Sequence, residues 1–154
     1  MTGIVEVQDK DTKGFLTVEL GDLLRIIEPR GRNLIWSILD LEARSDPAKF
    51  KGDLAAMEQQ IKLSPNGLII GWDDLLTLSD ALIEVLDGVF VGCKDRDSIP
   101  RLIPGDEVFS QCEIGIEAVD SSMWRVYARE DAILDKISAA FREVTLVRGS
   151  PPTK

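Results

Sequence analysis

The chain has 154 residues, 44% of them hydrophobic and 29% charged, enough apolar material for one globular domain, residues 1–154, with a buried core. It contains no histidine. That absence removes Ser-His and Cys-His nucleophile pairs, His-ligated zinc and facial-triad iron together, because histidine is the commonest general base and metal ligand near neutral pH. Asp and Glu outnumber Lys and Arg by 27 to 18, and the resulting net charge of −9 repels phosphate backbones, so a nucleic-acid partner is not expected.

The opening residues alternate apolar positions at Ile4, Val5 and Val7 and then run into a charged turn, Asp9 to Gly14, so residues 1–14 read as a loosely held end. The start has neither the basic nor the apolar region of a signal peptide. No apolar run approaches the ~18 to 20 residues of a membrane span, and a cytoplasmic protein with no membrane contact is expected. Leu20, Leu23, Leu24 and Ile27 then follow helical spacing until Pro29 and Gly31. Asn33 to Ala43 reads as a strand, with Asp40 and Glu42 marking where one face reaches water. Asp46-Pro47 opens a helical stretch through Lys62 that Gly52 can divide, and Ser64-Pro-Asn-Gly67 stops it. Leu68–Ile70 reads as a short strand.

Trp72 to Leu86 is the most regular helical segment, closed by Asp87-Gly88 and followed by a buried-type strand, Val89 to Cys93. Lys94 to Glu107, with Pro100, Pro104 and Gly105, predicts a long loop. Residues 112–119 and 123–129 alternate with period two. A three-residue loop at Asp120-Ser121-Ser122 sets Val119 opposite Met123, Glu117 opposite Arg125 and Glu113 opposite Arg129 on a solvent-facing side. Asp131 to Glu143 is an amphipathic helix, Thr145 to Val147 a closing strand, and residues 149–154 a tail. These elements predict an α+β fold: an antiparallel or mixed sheet of about four to six strands, with helices packed mainly on one side.

The candidate site is the acidic face of the segment from Trp72. At about 100° per residue, a helix there projects Asp73, Asp80, Glu84 and Asp87 within a sector of roughly 60°, with no Lys or Arg between them. Such a stripe is either a solvated face or a docking surface for a basic partner. Trp72, at the junction, is a candidate anchor, while Trp36 and Trp124 read as core. Cys93 and Cys112 lack metal-binding spacing and read as free core thiols. Asp9-x-Asp11-x-Lys13-Gly14 begins like a calcium loop, but Lys13 and Leu20 stand at ligand positions, and Asp95-x-Asp97 has no glycine turn after it. No metal and no cofactor are expected, and no nucleotide loop or nucleophile elbow is present.

The segments LGDLLRIIEPRGRNLIWSILDLEA (20–43), SPNGLIIGWDDLLTLSDALIEVLDGVFVGC (64–93) and VDSSMWRVYAREDAILDKISAAF (119–141) resemble small bacterial proteins of the toxin-immunity type. The resemblance implies a non-catalytic inhibitor that neutralises a basic toxin domain by stoichiometric binding, and transfers no residue role by position. A small-molecule-binding protein or carboxylate-based enzyme with a pocket is the alternative, and a structural or oligomerising module the third.

Overall fold

The structure is a computed structural model and describes residues 3–148. The tail at 149–154 lies outside the described residues. Seven strands form one sheet: β1 (Gly3–Val7), β2 (Ile35–Ser45), β3 (Leu68–Ile70), β4 (Leu82–Cys93), β5 (Ile114–Val119), β6 (Met123–Ala128) and β7 (Val144–Arg148). Their order is β3-β2-β4-β5-β6-β1-β7, with every neighbouring pair antiparallel. Four helices accompany it: α1 (Leu20–Gly31), α2 (Leu54–Leu63), α3 (Trp72–Ala81) and α4 (Asp131–Ala140). The fold is α+β as predicted, but the sheet exceeds the expected four to six strands.

The extra strand is β1. Instead of a loose end, Gly3–Val7 is inserted between β6 and β7, and Ile4 and Val7 are fully buried. Both faces of the sheet are covered at β1: Val5 and Val7 join one core cluster, while Ile4 joins the other. The exit from β1 is fastened by Asp9, which is buried and accepts the backbone N–H groups of Arg142 and Glu143 at 2.9 and 2.6 Å.

The larger cluster holds Trp36, Phe90, Ile116, Trp124 and Val126 from the sheet, and buried side chains from all four helices. Helix α1 extends through Pro29 to Gly31, where the missing Cβ leaves room for Trp72, whose ring would lie 2.7 Å from one. Trp36 donates its indole N–H to the Gly31 carbonyl at 2.8 Å, so the two tryptophans lock α1 and α3 to β2. Helix α2 starts later than its sequence suggests. Asp46 closes a turn by accepting the Phe50 N–H on its carbonyl, and Asp53 is the N-cap, accepting from Ala56 N–H.

The β5–β6 hairpin has the predicted register, Val119 with Met123 and Glu117 with Arg125. Its turn places Asp120 and Ser121 at positive φ, which short polar residues tolerate. The face carrying those charge pairs is covered rather than open. The segment between β4 and β5, with short 3₁₀ turns at Arg96–Ser98 and Asp106–Phe109, folds over it and supplies Ile99, Val108, Phe109 and Cys112 to the second cluster. Phe109 lies flat on Gly115 and stacks on Tyr127 at 5.5 Å.

Candidate functional site

The residues from Trp72 to Asp87 do not form one acidic helix. Helix α3 ends at Ala81, and Leu82 enters β4 directly with φ −91° and ψ 131°. The stripe is therefore divided: Asp73 and Asp80 remain on α3, while Glu84 and Asp87 lie on β4. The candidate anchor Trp72 is 6% exposed, with its ring 5.7 Å from that of Trp36, so its apolar body belongs to the core. Its indole N–H has no hydrogen-bond partner among the described residues.

Most of the stripe is also neutralised by arginines remote in sequence. Asp73 pairs with Arg32 at 3.3 Å, Asp80 with Arg25 at 2.7 Å and Glu84 with Arg44 at 3.0 Å. Glu84 also accepts from the Ser121 hydroxyl, and Asp87 accepts the backbone N–H of Asp120. These last two bonds tie the first half of β4 to the turn between β5 and β6.

Two depressions flank that tie. The first is an acidic recess of about 340 Å³ built where β2, β4 and β5 run side by side under α2. Asp40 and Glu42 come from β2, Asp87 from β4, Glu117 from β5 and Glu58 from α2, with Lys62 the single cation among the lining residues. Glu58 accepts the Ala43 backbone N–H. The carboxylates of Asp40 and Glu42 make no hydrogen bond or ion pair among the described residues. Register explains the crowding, since Glu42 faces Asp87 and Val89 lies between Asp40 and Glu117. Like charges directly opposite on a sheet destabilise it.

Glu117 is the recess residue with a perturbed titration. Burial pushes its carboxyl above the usual glutamate range, opposed by Arg125 and reinforced by Asp106 and Asp87. Arg125 is shared among three carboxylates, Asp106 at 2.8 Å, Glu6 at 3.3 Å and Glu117 at 3.4 Å, so it neutralises Glu117 only in part.

The second depression, a groove of about 470 Å³, lies between the 14–20 segment, the α3–β4 junction and the β5–β6 turn. Leu16, Leu82, Val85 and Trp124 line it, with Phe15 and Ile83 projecting at 67% and 55% exposure and Glu19, Asp120 and the Arg44–Glu84 ion pair around them. It is an apolar seat with an acidic margin.

Among the described residues no group of three or more Cys, Asp or Glu is arranged to hold a metal ion, and no helix is long and apolar enough to cross a membrane. Of the five residues singled out from the sequence, Glu84 lines the groove and Asp87 the recess, while Trp72, Asp73 and Asp80 line neither. Sequence reasoning missed Glu58, Glu117, Phe15 and Ile83. Asp40-x-Glu42 did carry a signal, two carboxylates on one strand, but nothing in the sequence places Glu117 beside them. Comparison with protein-family models, curated proteins and solved structures finds no match.

Proposed function

We propose that this chain is a non-catalytic protein-binding protein that receives a basic segment of its partner in the recess between β2, β4 and β5. The carrying observation is the imbalance there: five carboxylates to one lysine, with Asp40 and Glu42 unpaired among the described residues. On α3, by contrast, Asp73 and Asp80 already have arginine partners. An incoming lysine or arginine relieves repulsion that the fold otherwise carries, and such complementarity acts chiefly on association rate and specificity. The adjoining groove adds an apolar seat, matching the apolar core and polar rim of protein interfaces. A basic bacterial toxin is the partner this reading favours, in line with the toxin-immunity resemblance, and a reducing cytoplasm suits two free cysteines.

The test compares two variants with equal charge loss, Asp40→Asn/Glu42→Gln and Asp73→Asn/Asp80→Asn, against a pentalysine peptide at low salt. The recess variant should lose about fivefold or more in affinity, and backbone amide shifts in the wild type should concentrate at residues 40–42, 87–89 and 117–118. Equal losses in both variants, or shifts centred on α3, would rule the recess out. For the toxin reading, a one-to-one complex with a basic secreted enzyme, blocking that enzyme, is the expected result; a partner that is acidic or stays active when bound overturns it.

The second reading is a carboxylate-based hydrolase. It is favoured by Glu117, whose carboxyl is pushed up by burial inside a recess that also holds Asp40 and Asp87. Glu117→Gln separates the two, because it should leave peptide binding largely intact while abolishing any turnover.

A further inference from the structure

Cys93 ends β4 and Cys112 precedes β5, so the two cysteines bracket the segment that covers the second face of the sheet. Both are fully buried free thiols, and their sulfurs are 3.4 Å apart. A disulfide needs about 2.05 Å, so modest side-chain movement closes the gap. The backbone is already held in place. Glu113 N–H donates to the Gly92 carbonyl at 2.9 Å, and Arg129 donates to the carbonyls of Cys112 and Ser110 at 2.9 and 2.8 Å.

We propose that Cys93 and Cys112 form a reversible redox clasp, an intrachain disulfide made by peroxide that locks the 94–111 segment onto the sheet. The chemistry balances without a metal. One thiolate attacks an oxygen of hydrogen peroxide, breaking the O–O bond to give a sulfenic acid and hydroxide. The second thiol displaces that hydroxyl as water, forming the S–S bond. Both sulfurs lose one electron and both peroxide oxygens gain one, so dithiol and peroxide yield disulfide and two waters.

The order of attack follows from the pair's hydrogen bonding. Contact with Cys112 pulls the Cys93 pKa down against the opposing effect of burial, while the same contact and burial push Cys112 up, which favours Cys93 as the attacking sulfur. Access requires a local opening of the cover, whose middle is its exposed part, Leu102 and Ile103 at 50% and 42%, between the buried anchors Ile99 and Val108. Peroxide is small enough to use such an opening.

The folded, reduced full chain is treated with hydrogen peroxide, quenched by alkylation in denaturant and weighed. The expected product is a monomer lighter by about 2 Da with no alkylatable thiol, restored by dithiothreitol. Its amides at 94–111 should exchange more slowly than in the reduced protein, and its Tm should rise. Cys93→Ser should leave Cys112 unreactive, whereas Cys112→Ser should accumulate oxygen adducts on Cys93. Oxygen adducts or cross-linked dimers in place of the lighter monomer would overturn the clasp, as would a disulfide that forms only in denaturant. Unchanged exchange at 94–111 would overturn the locking.

Discussion

Replacing Gly115 with alanine tests whether the covering segment is seated as described. A Cβ at this position would lie 2.9 Å from Phe109 Cγ and closer still to Cδ1 and Cε1, where contacts of 3.4 Å or more are comfortable. The ring cannot step aside freely, being 1% exposed and stacked on Tyr127 at 5.5 Å. Relief therefore requires the 3₁₀ turn Asp106–Phe109 to lift by a sizeable fraction of an ångström or more. Overpacking of this kind costs about 1–3 kcal/mol. For a chain of this length that lowers Tm by about 2–12 °C. The sign is diagnostic, because Gly→Ala inside an unobstructed strand gains about 0.5–1 kcal/mol. Calorimetry of Gly115→Ala, Phe109→Ala and the double variant completes the argument. Phe109→Ala alone should cost about 3–5 kcal/mol, and adding Gly115→Ala to it should cost nothing more, since the obstructing ring is gone. A single variant as stable as the wild type, or a double variant showing the simple sum, would refute the packing.

Two further perturbations address titrating groups. At Asp9, burial alone would raise the pKa, but the N–H groups of Arg142 and Glu143 and the Arg142 charge overcome it and hold the carboxyl below the usual range. Asp9→Ala should therefore cost about 1–3 kcal/mol in urea denaturation at pH 7. Because a depressed folded pKa adds stability above the unfolded pKa and loses it as pH falls through the folded one, the deficit should shrink below about pH 4; a deficit constant from pH 7 to 3 contradicts this. Glu117 is shifted upward by burial, so ionising it costs more in the folded chain than in the unfolded one. Glu117→Gln should be as stable as the wild type or more so at pH 7, by less than about 1 kcal/mol, with the advantage fading in acid, where the wild type is protonated too; marked destabilisation at pH 7 would show that Arg125 outweighs desolvation.

How much of this was legible in the sequence depends on the distance over which each element is decided. The β5–β6 hairpin was readable because its register is local: with three loop residues, Glu117 meets Arg125 and Ile116 meets Val126, and a loop of two or four residues breaks both matches. Trp36 and Trp124 were readable as core from local pattern too, Trp36 in the half of its strand that is apolar on both faces and Trp124 on the apolar side of an alternating run. Strand β1 was not. Its five residues acquire their environment from β6 and β7, more than a hundred residues later, and an isolated Ile-Val-Glu-Val alternation is too short to declare that partnership. Nor could the covering of the second face be foreseen, since a loop rich in proline and glycine carries no periodicity to mark Ile99, Val108 and Phe109 as core.

The α3–β4 junction shows the same limit with consequences for the site. Leu75, Leu78, Leu82 and Leu86 have helical spacing, yet the chain turns from helix to strand at Leu82 without an intervening loop. Ile83 and Val85, β-branched, favour the strand weakly. What decides the matter is β2, which continues past Ala43 to Ser45 and offers Arg44 as the partner of Glu84. Register shifts between Glu42 and Ala43 and between Arg44 and Ser45 disturb the regular pairing of the two strands there. A continuous helix would have kept four carboxylates in one stripe at a cost of a few tenths of a kcal/mol for each like-charge neighbour. As a strand, the segment gives Glu84 the Arg44 guanidinium and the Ser121 hydroxyl, and Asp87 the Asp120 N–H. The acidic residues were thus correctly noticed but wrongly arranged. Folding neutralises most of that stripe, and in the recess it is Asp40 and Glu42, on the strand that redirected it, that keep no partner among the described residues.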